Sequence, residues 1–322
     1  TIPSSGPSRY VLLDVPYMYT GTAQSTPSFL AVMYGGSGWP GGVLIRTDDG
    51  GTTWLDVQAF DSAGSAVGSA HNTIGVVDSR VWDKASVLRV VMNNGTLSSA
   101  TETAVLNGGN YFAYGADGRW EIIAAQTCTL VSGSTYVIQN MLRGRFGTEW
   151  AMGLHAVGDT IVALNTSDVT AIGMSSSSIG LSRAYRGITY GQDITSDTDR
   201  DFTYRGVNLE CLSPVYFTGY RNAATSDWIF SCVRRSRTDG EWRDLVDAGL
   251  GETSEAYEMD ICTDATYATV QRTIYSATLP ITYTNAQQVS DFGTPVANVH
   301  ARVHQVSSVV GRGYGQTGSF VA

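Results

Sequence analysis

The chain has 322 residues, of which 43% are hydrophobic and only 15% are charged, so the composition favours a globular protein with sizeable cores and excludes a disordered one. The formal net charge of −9 argues against a nucleic-acid partner, because phosphate contacts need a basic protein face. With 36 glycines and no apolar run near the roughly 18 residues that cross a bilayer, the sequence favours short strands and tight turns, and we expect no transmembrane segment.

These patterns predict an all-β, multi-lobed fold, with two N-terminal β-rich lobes followed by a fibronectin type III-like sandwich. The first lobe is predicted at residues 1–79 and is completed by residues 166–205. Its β-prone segments are residues 10–15, 28–34, 43–47 and 53–60.

Aromatic side chains in two loops of this lobe are candidate ligand-binding residues. Trp39 lies among five glycines in residues 35–42, which give it little side-chain cover, and Tyr17 and Tyr19 follow Pro16. Such rings stack on sugars or seat a partner protein. The alternative for Trp39 is a side chain folded back over its own sheet.

The run TDDGGTTW at residues 47–54 matches the Asp-box pattern, [S/T]-x-D-x-G-x-T-W, which sialidases carry in several copies. We expect Asp49 to cap a turn, Gly51 to adopt a positive φ and Trp54 to pack under the hairpin. One copy does not make a propeller, so a structural hairpin is favoured over catalysis.

The second lobe is predicted at residues 80–165, with short strands at residues 103–106 and 111–114. The run MLRGRFGTE at residues 141–149 follows two β-prone segments and places two arginines and a carboxylate where a hairpin closes. We expect Arg143 or Arg145 to fork onto Glu149 or onto backbone carbonyls, a geometry that only a guanidinium offers.

The polar, acidic residues 191–205 are predicted to be a linker, and the sandwich is predicted at residues 206–313, followed by a tail at residues 314–322. About seven short strands in this length are typical of the fibronectin type III kind. No helix longer than two turns is expected. The β-prone segments here are residues 215–220, 228–235, 256–261, 267–273, 281–284 and 297–306.

Metal and cofactor sites are not predicted. Asp197, Asp199 and Asp201 alternate as in a calcium loop, but the following residues break the EF-hand pattern, which favours a solvated acidic segment. His300 and His304 share one face of a strand about 13 Å apart, too far for one metal ion. The remaining histidines, His71 and His155, stand alone in the sequence.

No catalytic residues are predicted, since the sequence has no nucleophile elbow, phosphate loop or dinucleotide fingerprint. A carboxylate cluster at residues 244–258 is expected to pair with Arg234, Arg235 and Arg237 rather than to hydrolyse glycosides. The four cysteines lack a C-x-x-C pair, which favours buried free thiols; a disulfide between Cys211 and Cys232 is the alternative.

Several short motifs occur together in a fixed order. The run at residues 141–149 resembles an LLRG-x-x-GTE signature, and GTLSSA at 95–100 with VLNGGN at 105–110 resembles the G-x-LSSAT and LNG-x-N run upstream of it. The chain thereby resembles, over roughly residues 11–313, the C-terminal part of the large tail-tip protein, also called the hub or host-specificity protein, of gene transfer agents and related long-tailed phages. Further matches in the same order lie at residues 212–215, 233–237, 250–252, 291–293 and 305–313.

This resemblance implies a structural component of a tail tip, in the baseplate hub or host-attachment region, that acts in assembly and in contact with the bacterial cell surface. It implies as partners other tail-tip proteins, copies of the chain itself as a homotrimer, and a bacterial surface receptor or glycan. The location would be the virion tail tip, assembled in the host cytoplasm. The alternative function is a secreted glycan-binding or sialidase-like β module, which rests on the single Asp box and the loop aromatics.

Overall fold

The computed structural model describes residues 6–16, 18, 26–164, 169–238 and 244–322. The chain forms two compact units, Thr1–Asn208 and Leu209–Ala322. Both are built from antiparallel strands, which confirms the predicted all-β, multi-lobed fold.

The first unit contains a two-sheet lobe and a closed barrel. Its strands are β1 (Arg9–Leu13), β2 (Ser28–Tyr34), β3 (Gly42–Thr47), β4 (Leu55–Phe60), β5 (Val67–Ala70), β6 (Leu88–Asn94), β7 (Tyr111–Gly115), β8 (Glu121–Ser132), β9 (Thr135–Arg145), β10 (Thr160–Ala163), β11 (Thr170–Gly173), β12 (Ser182–Thr189) and β13 (Arg200–Thr203). Helix α1 (Glu102–Leu106) and short 3-10 turns at Glu149–Ala151, Ser176–Ser178 and Ile194–Ser196 complete it.

The two-sheet lobe is formed from strands on both sides of the barrel in sequence. One sheet has the order β1-β2-β11 and the other the order β13-β12-β3-β4. Phe29, Leu44 and Tyr185 pack between the sheets in a core that both contribute to. Every residue of β2 is buried, because this strand faces the lobe core on one side and the barrel on the other.

The barrel closes in the order β10-β5-β6-β9-β8-β7. Its interior is one apolar cluster to which every strand of that order contributes, including Leu88, Phe112, Ile123, Met141 and Ile161. On its outside, β7, β8 and β10 pack against the sheet β1-β2-β11 through a second apolar cluster. Backbone hydrogen bonds between neighbouring strands therefore close the barrel, and apolar side-chain contacts join it to the two-sheet lobe.

Three expectations for this unit are wrong. Residues 191–205 are not a linker, because β13 pairs with β12 and buries Phe202 in the lobe core. Residues 103–106 are helical, because the Thr101 side chain accepts the Ala104 N–H and caps the first turn of α1. Strand β5, which was assigned to the first lobe, belongs to the barrel.

The second unit contains β14 (Val215–Arg221), β15 (Trp228–Val233), β16 (Tyr257–Cys262), β17 (Val270–Ser276), β18 (Ile281–Tyr283), α2 (Asn285–Phe292), β19 (Asn298–Ser307) and β20 (Gly311–Val321). A sheet in the order β14-β15-β18 faces one in the order β17-β16-β19-β20. Trp228, Met259 and Val303 are among the residues of the core between them. This is a seven-strand sandwich of the fibronectin type III kind.

Two details of the second unit differ from expectation. Residues 314–322 are not a tail, since β20 runs through Val321 and pairs with β19 along its length. Helix α2 was not expected, yet it has a complete capping box between Thr284 and Gln287 and ends at Gly293 with φ +78°. These caps explain why so short a helix forms.

Candidate functional site

Glu121 and Arg143 form the centre of a charge network inside the barrel. Glu121 opens β8 two residues before the interior residue Ile123, so strand alternation turns it inward. Arg143 follows the interior residue Met141 by two in the same way. Arg143 Nε donates to Glu121 Oε1 at 2.6 Å and Nη2 donates to Oε2 at 2.8 Å. Neither side chain is exposed, so the fork is held out of water.

Asp83 approaches the same guanidinium from the segment between β5 and β6. Its Oδ2 lies 3.4 Å from Arg143 Nη1, which also donates to the Gly75 carbonyl at 3.3 Å. The Asp83 carboxylate accepts the Ser86 N–H, and its backbone bonds in both directions with Met141. One arginine thus fastens a long connecting segment to β8 and β9.

His155 continues the network on the other side of Glu121. Its ring stacks on Tyr114 with centroids 3.8 Å apart, and its Nε2 lies 2.7 Å from Glu121 Oε2. Its Nδ1 lies 3.7 Å from Asp159 Oδ2, and the imidazole has no exposed surface. The loop before β10 is therefore anchored into the barrel end by a ring that lies between two carboxylates.

Arg119 and Asp159 form the outer end of the network. Two hydrogen bonds of 2.5 Å join the guanidinium to both carboxylate oxygens, and Arg119 also donates to the Leu154 carbonyl at 2.8 Å. Arg119 precedes β8 and Asp159 precedes β10, so this pair ties two turns together at one end of the barrel.

The hydrogen bonds keep the buried carboxylates ionised. Burial alone would raise the pKa of Glu121, but hydrogen bonds from His155 and Arg143 outweigh it and hold that pKa below its usual range. The pKa of Asp159 is lowered in the same manner, with Arg119 outweighing burial. Because Glu121 is an ionised acceptor, His155 Nε2 carries the proton between them. A general acid or base needs a pKa near the working pH, so these carboxylates suit a structural role.

Arg143 makes the predicted fork: its bond to a backbone carbonyl, that of Gly75, was expected, whereas its carboxylate partner, Glu121, was not. Arg143 pairs with Glu121 and the Gly75 carbonyl, whereas Glu149 begins the 3-10 turn Glu149–Ala151. The expected hairpin does not close here, because residues 141–145 lie within β9, which bulges at Gly144 (φ +59°) where its register with β8 shifts. A Cβ on Gly144 would lie 2.7 Å from Glu149 Cα. This position therefore needs glycine for two reasons, the positive φ and the lack of space for a Cβ.

The Asp box forms the hairpin between β3 and β4. Asp49 Oδ1 accepts the Thr53 N–H at 2.8 Å and the Thr47 hydroxyl at 2.9 Å, and Oδ2 accepts the Thr53 hydroxyl at 2.7 Å. Gly51 has φ +94° and donates its N–H to Thr47. Trp54 lies under the Arg186 guanidinium, whose Cζ is 4.3 Å from the ring centroid. The box thus closes its own turn.

Trp39 is not an exposed contact residue, which corrects that hypothesis in favour of the alternative. Its side chain is 5% exposed and belongs to the core of the two-sheet lobe. The indole Nε1 donates to Ser8 Oγ at 2.9 Å, and a Cβ on Gly35 would collide with the ring. The glycines around it let the backbone approach the indole. Tyr17 and Tyr19 lie outside the described residues.

Acidic and basic groups of the sandwich pair as expected in two cases. Arg234 donates to Asp247 at 3.0 Å and Arg237 to Glu252 at 2.9 Å. A larger network was missed: Asp260, with no exposed side chain, accepts two hydrogen bonds from Arg312 at 2.8 and 2.9 Å. It also accepts one from Arg302 at 3.0 Å, so charges converge on the outer face of the sheet β17-β16-β19-β20.

The four cysteines are buried free thiols, and burial raises the pKa of Cys128 to about 11 and that of Cys211 to about 12. The alternative of a disulfide between Cys211 and Cys232 is therefore not what the structure has.

Within the described ranges, no three His, Cys, Asp or Glu side chains converge to hold a metal ion. None of the helices in that part of the chain has the length and apolar character needed to span a bilayer.

Comparison with known families points to the barrel. The model of a family described as Rcc01698-like, C-terminal matches residues 65–162. The match begins two residues before β5 and ends within β10, so it covers the barrel and under a third of the chain. No curated protein matches the chain.

Proposed function

We propose that the chain is a structural component of a phage or gene-transfer-agent tail tip, in the baseplate hub or host-attachment region. The ordered motifs carry this proposal, and the central ones, at residues 95–149, lie within the family match at residues 65–162. In this role the chain assembles with other tail-tip proteins and with copies of itself at the distal end of the tail, and contacts the bacterial cell surface.

The buried charge network in the barrel supports a structural role for the chain. Glu121, Arg143 and His155 are fully buried and bonded to one another, which fixes loops at the barrel end. Such networks are costly to break, since removing one partner leaves a buried charge uncompensated. A scaffold that transmits force or positions neighbouring subunits benefits from loops held in this way.

The sialidase-like alternative receives no support from the Asp box. Both oxygens of Asp49 are bonded to Thr47 and Thr53 within the same turn. A carboxylate used in this way is a turn element.

The decisive experiment is to locate the chain on particles. Antibodies raised against the full chain and coupled to gold should label the distal tail end of particles purified from the encoding bacterium. A deletion strain serves as the control and should yield no labelled tips and fewer adsorbing particles. Gold on the capsid or on no particle at all would refute the proposal, as would turnover of a fluorogenic sialoside that Asp49→Ala abolishes.

A further inference from the structure

The outer face of the sheet β14-β15-β18 has few charges and two exposed tyrosines. Tyr216 and Tyr220 on β14 are 76% and 60% exposed. Between and beside them lie the exposed hydroxyl residues Thr218, Ser231 and Thr282. The three strands carry no charged residue apart from Arg221 at the end of β14.

The opposite sheet shows what an ordinary charged face of this unit is like. Its outer surface carries Glu258, Asp260, Arg302 and Arg312, joined in ion pairs. The two outer faces thus differ in charge rather than in aromatic content: one carries ion pairs and Tyr275, and the other carries two tyrosines, three hydroxyl residues and the exposed Val233. A neutral face favours a ligand that would gain nothing from ion pairs.

The strand that carries the tyrosines is distorted at one of them. The register between β14 and β15 shifts between Val215 and Thr218, which marks a β-bulge. Tyr216 lies in this bulge with φ +51°, a conformation that costs energy for any residue except glycine. Bulges redirect side chains, and this one leaves Tyr216 exposed while Phe217 packs on Phe230 and Phe320.

The spacing of the two tyrosines along β14 suits a chain of sugars. Four residues along a strand span about 13 Å, and somewhat less across a bulge, which is the reach of a short run of linked pyranose rings. The C–H faces of a pyranose are attracted to the negative face of an aromatic ring. The Ser231 hydroxyl can hydrogen-bond a sugar hydroxyl, and the Thr218 hydroxyl, which donates to the Ser231 carbonyl at 3.3 Å, can still accept a hydrogen bond from one.

We propose that the face formed by Tyr216, Thr218, Tyr220, Ser231 and Thr282 binds a neutral polysaccharide, with the two tyrosine rings stacked on separate sugar units. This proposal rests on the proposed function, since it names the chemistry of the surface that the tail tip contacts. It differs from that function in its test, because glycan binding is measured on the isolated chain and location is measured on particles.

The test is affinity electrophoresis of the full chain in native gels that contain a soluble β-glucan, a galactomannan or dextran. Retardation by at least one of them is expected, and Tyr216→Ala and Tyr220→Ala should each weaken it about three- to tenfold. The matched control is Tyr275→Ala, which removes a tyrosine that is 73% exposed on the other sheet and should leave retardation unchanged.

Salt dependence separates a neutral glycan from an acidic one. Retardation should persist when salt is raised to about 0.5 M, whereas binding through charges would weaken. The proposal is overturned if no neutral polysaccharide retards the chain, if only alginate does so, or if Tyr275→Ala weakens retardation as much as the other two variants. Loss of tail assembly in the Tyr216 variant without any glycan binding would also overturn it, in favour of a protein partner.

Discussion

Arg143 and Glu121 share two hydrogen bonds, of 2.6 and 2.8 Å, at a place where neither side chain has any exposed surface. The two residues lie on adjacent strands of the barrel, and each occupies a position that would otherwise hold an apolar side chain. The barrel end is therefore specified by geometry, since only a planar guanidinium reaches both oxygens.

Arg143→Lys should lower the unfolding free energy of the first unit by about 1–3 kcal/mol, because an ammonium cannot donate to both oxygens of Glu121 and to the Gly75 carbonyl. Hydrogen exchange of β8 and β9 under increasing urea reports this unit selectively. Arg80→Lys, in an ion pair whose arginine is 79% exposed, is the control and should change stability by less than about 0.5 kcal/mol. Equal effects of the two substitutions would contradict the buried fork.

Gly144→Ala should destabilise the barrel more than Gly133→Ala does. Both glycines have similar φ values, +59° and +54°, so both substitutions carry the left-handed cost of about 1 kcal/mol. Only at Gly144 would the new Cβ meet backbone, 2.7 Å from Glu149 Cα. Thermal unfolding of the two variants measures the difference in stability. If Gly133→Ala loses as much stability as Gly144→Ala or more, the backbone around Gly144 and Glu149 must shift to make room for the new Cβ.

Asp49 should titrate well below an ordinary aspartate. The Thr53 N–H and hydroxyl, with the Thr47 hydroxyl, lower its pKa from 3.8 to about 2. A depressed pKa gives stability that is present above pH 4 and is lost as pH falls towards about 2. Carbon-13 NMR of the Asp49 carboxyl should give this midpoint, and the stability difference between wild type and Asp49→Asn should shrink over the same range. A midpoint near 3.8 would mean that the turn bonds are absent in solution.

Trp39→Ala should destabilise the two-sheet lobe by about 3–5 kcal/mol, because a buried indole is removed and a cavity remains. Trp39→Phe should cost less, since it keeps most of the ring and loses the bond to Ser8. The control is Leu55→Ala, where a side chain that is 49% exposed is truncated in the same unit. A melting temperature of Trp39→Ala that equals that of the wild type, measured by calorimetry, would contradict the burial of Trp39.

Local patterns allowed the fold class to be predicted from the sequence. The six β-prone segments of the sandwich correspond to β14–β19, because alternating apolar residues and turn signals act within a few residues. The Asp box closed the turn that its pattern indicated for the same reason. Helix α2 was missed although Thr284, Gln287 and Gly293 mark both of its ends.

The network inside the barrel could not be predicted because it depends on ring closure. Glu149 is near Arg143 in sequence, whereas Glu121 meets it only through the register of β8 and β9, which the shift near Gly144 alters. His155 arrives from a loop whose position depends on β10 closing the barrel. One signal was available: Glu121 and Arg143 each lie two residues from an apolar interior residue, so strict alternation predicts buried charges.

The pairing of β5 with β10 brings the two ends of the barrel segment together. Val67, where the chain enters the barrel, lies opposite Val162, one residue before β10 ends, so the chain enters and leaves the barrel side by side, between strands of a lobe that is continued by β11. This is the geometry of a domain insertion, in which one domain, here the barrel, lies within a single connection of another, here the two-sheet lobe, without separating the strands of that lobe. The barrel and β2 share an apolar cluster. A different domain inserted in place of the barrel would therefore need an apolar surface that fits this sheet, because otherwise the apolar face of the sheet would be exposed to water.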